Sequence, residues 1–253
     1  MKQITVACFS PTGGTDKVLD ILGEPFAPLT RIDLMRDGEP EHTEFNEDDL
    51  CLVGVPVYGG RVPRVAYERL AKLKGRGAAA VAVAVYGNRD FEDALLELKD
   101  ILTACGFRIA AGVAANAEHS IMHRFGTGRP DVADREELRN YARRIKTELG
   151  RNHGSVDIAI PGNRPYREYG VISMIPAATG ACTGCGLCSE RCPVGAIPKS
   201  EPKLVDEDKC ICCMACIAAC PAGARALDPE ALAAMEQRLE KLCSGRKENK
   251  LFL

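Results

Sequence analysis

Nine of the thirteen cysteines in this chain fall between Cys182 and Cys220, and their spacing carries the clearest chemistry. Cys182, Cys185, Cys188 and Cys192, followed by Pro193, have the pattern C-x2-C-x2-C-x3-C-P. Cys210, Cys213, Cys216 and Cys220, followed by Pro221, repeat it 28 residues later. The echo runs past the cysteines, since Pro193, Gly195 and Ala196 correspond to Pro221, Gly223 and Ala224. Three thiolates on a tight loop reach three corners of one iron–sulfur cube, while the fourth points away and completes the other. The register therefore assigns Cys182, Cys185, Cys188 and Cys220 to one 4Fe–4S cluster, and Cys210, Cys213, Cys216 and Cys192 to its partner. Zinc is the competing reading, but zinc pairs usually arrive as separated C-x2-C units rather than runs of four. Cys212 fits neither register and reads as a small buried filler.

A second group of residues has the chemistry of an anion site. Ser10, Pro11, Thr12, Gly13, Gly14 and Thr15 follow an apolar run and open an amphipathic one. Glycines let the backbone approach an anion, free N–H groups at a helix start point toward it, and three hydroxyls add donors. The plainer reading is a glycine turn with a capping Ser or Thr. No Gly-Lys-Ser/Thr follows, which disfavours a nucleoside triphosphate with its magnesium ion. Two further loops follow apolar runs: Pro56, Val57, Tyr58, Gly59 and Gly60, then Tyr86, Gly87, Asn88 and Arg89. Tyr58 and Tyr86 are placed to face a planar ring, and Gly59 and Asn88 to offer polar groups to its edge.

These loops need a scaffold that gathers them. Short β-rich runs at about 3–9, 29–34, 50–55, 78–85 and 107–114 alternate with amphipathic segments at about 15–22, 65–72, 91–104 and 134–149. That rhythm predicts βαβ units around a five-stranded parallel sheet, whose carboxyl edge collects the loops where strand order reverses. After Gly150 the rhythm stops, and 151–180 becomes rich in Gly, Pro and Asn. Tyr166, Tyr169, Ile172 and Ile175 argue for a segment that packs rather than swings. The predicted division is 1–150 for the sheet, 151–176 for a linker or covering segment, 177–228 for the cysteine module, and 229–253 for a terminal helix and tail. Leu232, Met235, Leu239 and Leu242 form an apolar stripe on that helix and read as core packing.

Composition excludes several classes. A net charge of −2 supplies no basic field for nucleic acid. The longest apolar stretch, 78–85, is far short of the ~20 residues of a membrane-spanning helix. The first residues lack the pattern of a secretory signal, and clustered cysteines suit a reducing compartment, so a cytoplasmic location is expected.

Taken together, the phosphate-type loop, Pro-Val-Tyr-Gly-Gly-Arg-Val-Pro, Val-Tyr-Gly-Asn-Arg and the two cysteine motifs resemble the flavodoxin–ferredoxin fusion family. The resemblance spans nearly the whole chain. It implies an α/β flavodoxin-like doubly wound sheet followed by a small α+β two-cluster ferredoxin-like domain. It also implies FMN, its phosphate on Ser10, Thr12, Gly13, Gly14 and Thr15, its ring between residues 56–60 and 86–89. Glu118, His119 and Ser120 also resemble a piece of this family, with His119 either a hydrogen-bonded loop residue or a proton-transfer group. The expected role is electron transfer between two 4Fe–4S clusters and FMN, with a low-potential donor and an acceptor enzyme as protein partners. An FMN-dependent reductase of a quinone or activated double bond, and a redox sensor with an empty flavin site, are the alternatives.

Overall fold

The computed structural model describes residues 3–36, 38, 43–151, 158–170 and 174–253. Strands β1 (Ile4–Cys8), β2 (Thr30–Asp33), β3 (Leu50–Pro56), β4 (Ala79–Tyr86) and β5 (Arg108–Asn116) match the five expected runs. They pair in parallel in the order β2-β1-β3-β4-β5, the flavodoxin-like arrangement, with the reversal between β1 and β3. Strand β4 is buried along its whole length because helices cover both faces of a parallel sheet. On one face, α1 (Gly14–Gly23) and α4 (Val132–Arg151) set Val18, Leu19, Leu138 and Tyr141 against Val81 and Val83. On the other, α2 (Arg64–Leu70) and α3 (Ala94–Ala104) set Ala66, Leu70, Leu95 and Leu98 against Ala80 and Ala82.

The chain beyond α4 packs onto this layer. Ile158 and Ile160 join the α2–α3 core, and the Lys99 ammonium bonds the Ile158 carbonyl at 2.7 Å. Asp93 accepts the backbone N–H groups of Asn163 and Arg167, both at 2.8 Å. Arg164 and Tyr166 bond Asp100, and the Arg61 guanidinium lies 4.1 Å from the Tyr169 ring centroid. Ile172 lies outside the described residues.

The cysteine module follows, built from β6 (Ala177–Ala178), α5 (Leu187–Arg191), α6 (Ala215–Ala218) and β7 (Arg225–Ala226), with β6 and β7 antiparallel. Helix α7 (Pro229–Cys243) starts where the Asp228 carboxylate accepts the Ala231 N–H at 2.8 Å, with proline at the first helical position. A further strand, β8 (Lys250–Phe252), then pairs antiparallel with β5 through Gly112–Phe252, Val113–Leu251 and Ala114–Lys250. It joins the five parallel strands as a sixth, and its three residues are too few to show a readable alternation. No helix among the described residues is long and apolar enough to cross a membrane.

Candidate functional site

At the carboxyl edge of the sheet, the loops after β1, β3, β4 and β5 enclose a cavity of about 450 Å³. That volume lies within the ~300–1,000 Å³ usual for small-molecule sites. Ser10, Thr12, Gly14 and Thr15 line one end, and Pro56, Val57, Tyr58, Gly59, Tyr86, Gly87 and Arg89 line the rest. Ser10 Oγ accepts the Asp16 N–H at 3.0 Å, so the hydroxyl that fixes the helix start also faces the cavity. Lys17, Arg129, Arg135 and Glu118 line an adjoining space of about 140 Å³ that reaches Thr12 and Gly14.

Three of the sequence-predicted residues do not line the cavity. Gly13 caps α1 with φ 83°, and Gly60 accepts the Asp93 N–H through its carbonyl at 3.1 Å. The Asn88 amide turns away to the carbonyls of Cys243 and Gly245 at 2.6 and 2.8 Å.

His119 lies in the wall, packed so closely on the β4 loop that a Cβ at Gly87 would fall 2.8 Å from its Cα. Its Nδ1 accepts the N–H groups of Ile121 and Met122, both at 3.2 Å, so the ring proton sits on Nε2. Burial, helped by the nearby His123 and Arg89, brings its pKa down to about 4. A neutral imidazole with an Nε2–H to offer results.

Helix α7 adds Met235, Arg238, Leu239 and Leu242 to the cavity wall. Leu232, Met235 and Leu239 also pack on the cluster containing Met122, Phe125 and Met174, so the expected stripe serves core and cavity together. The helix is held along its second half and beyond its C-terminus. Arg124 pairs with Glu236 and Glu240, while the residues beyond α7 are tied down by Asn88, by Tyr86 to the Glu248 carbonyl at 2.7 Å, and by Arg129 to the Lys247 carbonyl at 2.6 Å.

Two smaller cavities lie in the cysteine module. Cys192, Cys210, Cys213 and Cys216 line one, and Cys182, Cys185, Cys188 and Cys220 line the other. The duplication extends to detail: Gly186 and Met214, which precede α5 and α6, both have left-handed backbones. The Ala196 N–H bonds Cys192 Sγ and the Ala224 N–H bonds Cys220 Sγ, each at 3.2 Å. Among the described residues no three His, Cys, Asp or Glu side chains converge closely enough to hold one metal ion. Four thiols around a cavity instead suit a four-metal cube, in which each thiolate binds a different iron.

The first of these cavities adjoins the large one. Ile211 lines both, Cys212 lines the large cavity, and Cys210 and Cys213 line the small. Cys212 is 5% exposed, and its thiol hydrogen-bonds Cys210, lowering the Cys210 pKa to about 6. Burial, with Cys213 and Cys212 close by, pushes the Tyr58 phenol well up. We call this cysteine set inner and the other outer. Sequence spacing could not show which lies beside the large cavity, nor that Ile211, Cys212 and α7 line it.

The 4Fe-4S dicluster domain family matches residues 174–221, which contain all eight register cysteines. A selenate reductase subunit from Mesobacillus selenatarsenatis is 56% identical over 43 residues, 16% of this chain and 15% of its own. A tetrathionate reductase subunit from Archaeoglobus fulgidus is 41% identical over 66 residues, 25% of this chain and 31% of its own. The chain thus spans less than a third of either relative. Among solved structures, rubredoxin oxygen:oxidoreductase from Desulfovibrio gigas aligns over 59% of this chain and 37% of its own, at 18% identity and TM-score 0.41. The flavodoxin-like assignment rests on the strand order of the sheet itself.

Proposed function

We propose that this flavodoxin–ferredoxin fusion is an electron-transfer protein that relays electrons between two 4Fe–4S clusters and FMN, and onward to a partner redox enzyme. The observation that carries this reading is the loop 210–213, which lines the inner cysteine cavity and the large cavity at once. Bound there, FMN would exchange one or two electrons and each cluster one.

Cys182, Cys185, Cys188 and Cys220 would hold the outer cluster, and Cys192, Cys210, Cys213 and Cys216 the inner one. Ser10, Thr12, Gly14 and Thr15 would receive the FMN phosphate, with Gly13 shaping the turn behind them. Tyr58 and Tyr86 would flank the ring, with Pro56, Val57, Gly59, Gly87 and Arg89 around it and Asn88 bracing the chain after α7. Ile211 and Cys212 would separate inner cluster from ring. Helix α7 adds Met235, Arg238, Leu239 and Leu242 to the wall of the cavity that would hold the ring. Cys185 is exposed and Leu187 beside it is 40% exposed, so a partner protein would meet the outer cluster. The cytoplasm, as a reducing compartment, is the proposed location.

Stopped-flow mixing with a reduced low-potential donor tests the relay. Flavin reduction should follow cluster reduction at a rate independent of protein concentration. A rate that scales with protein concentration would show that flavin and clusters serve different partners.

A further inference from the structure

Arg225, the first residue of β7, is 4% exposed and lines the outer cysteine cavity. Its Nη1 donates to the Pro176 carbonyl at 3.1 Å, and its Nη2 donates to the Pro202 carbonyl and lies 3.8 Å from Cys188 Sγ. Its Nε is buried without a partner, and the contacts of its Nη atoms are two carbonyls and a cysteine sulfur rather than a carboxylate. A buried cation needs a counter-charge, because desolvation opposes it and carbonyl dipoles replace only part of its hydration. Something anionic therefore belongs in this cavity.

We propose that Arg225 is the counter-charge of the outer cluster and holds it at a higher reduction potential than the inner one. The inference rests on reading both cysteine cavities as cluster sites. A cube ligated by four thiolates is an anion, and reduction adds one more negative charge. A fixed cation at its edge stabilises the reduced form more than the oxidised form and so raises the potential.

The internal repeat isolates this one difference. Moving back 28 residues from Arg225 reaches Ile197, which is 4% exposed and lines the inner cavity. The N–H to sulfur bonds from Ala196 and Ala224 are equal at 3.2 Å, so that contribution does not separate the two centres. What separates them at matched positions is a buried guanidinium against a buried branched alkyl side chain. The charge of Arg225 also reaches Cys210 and Cys216 of the inner set, but its contact with a cysteine sulfur is at outer Cys188. An electron shared between the clusters then rests on the outer one, at the partner-facing end of the relay.

The test is an anaerobic redox titration of the full chain, followed by electron paramagnetic resonance, with iron and sulfide assays on each sample. Wild type should show two four-iron signals; their absence would defeat the cluster reading itself. In iron-replete Arg225→Leu, the electron partition between the clusters should move at least about tenfold away from the outer cluster, which is 59 mV for one electron, and a shift away from the inner cluster would overturn the proposal. Arg225→Lys, which keeps the charge, should retain most of the wild-type partition. An unchanged partition in iron-replete Arg225→Leu overturns the proposal. If Arg225→Leu loses iron, Arg225→Lys decides: full iron with a near-wild-type partition supports the counter-charge, and loss of iron there too makes the guanidinium a structural brace and overturns it.

Discussion

Arg129 and Asp134 form a two-point buried ion pair, Nη2 to Oδ1 at 2.5 Å and Nε to Oδ2 at 2.8 Å, to which the chain beyond α7 is fastened. Arg129 reaches the Lys247 carbonyl, and Asp134 receives Arg246 at 2.8 Å and Asn249 at 3.1 Å. Asp134→Ala leaves Arg129 buried and uncompensated and should destabilise the fold by about 3–5 kcal/mol. Urea denaturation measures this, and hydrogen exchange at 246–252 should accelerate more than at β4. A loss under about 1 kcal/mol, the range of an exposed pair, would mean that this pair is not what fastens the segment.

Cys212→Ser should keep the wild-type iron content, because Cys212 faces the large cavity and supplies a hydrogen bond to Cys210 rather than a place in either register. Cys220→Ala should instead damage the cluster of Cys182, Cys185 and Cys188, with which it shares a cavity. Iron and sulfide assays on the two variants check the register. Equal iron loss in both would break it.

Replacing Thr12 and Thr15 together by Val should weaken FMN binding by about two orders of magnitude. Each hydrogen bond to a charged group contributes about 1.5–3 kcal/mol, and two would be lost. Fluorescence titration of flavin-free protein gives the affinity. Unchanged affinity would take the loop out of the site.

His119 ties stability to pH in a defined direction. Its folded pKa of about 4 lies below the usual histidine value of 6.5, so the unfolded chain binds more protons between those values. The contribution is fully present above about pH 6.5 and is lost as pH falls toward 4, on the order of 3 kcal/mol in all. His119→Gln, which lacks that proton uptake, should flatten the acid limb of a denaturation series across that pH window. Parallel limbs for variant and wild type would contradict the buried neutral ring.

The parallel strands and the first three cysteines of each motif were legible because each is local: an apolar run shows its own burial, and a C-x2-C-x2-C loop brings its own three thiols together. The α7 stripe was legible only in part. Periodicity reveals that Leu232, Met235 and Leu239 share a face, whereas Met122, Phe125 and the large cavity, which that face meets, belong to other parts of the chain. Asn88 illustrates the same limit, since its carbonyl partners on Cys243 and Gly245 are brought to it only by the fold. The exchange of Ile197 for Arg225 was visible in the repeat, but it gains meaning only from the burial of both side chains.

Strand β8 gives the molecule an order of manufacture. It is synthesised after the cysteine module, yet it covers the free edge of β5. Until it docks, β5 presents unpaired N–H and C=O groups, a template for pairing with other chains. A chain cut before Lys250 would keep its five parallel strands but leave that edge bare, and is expected to pair with other copies of itself.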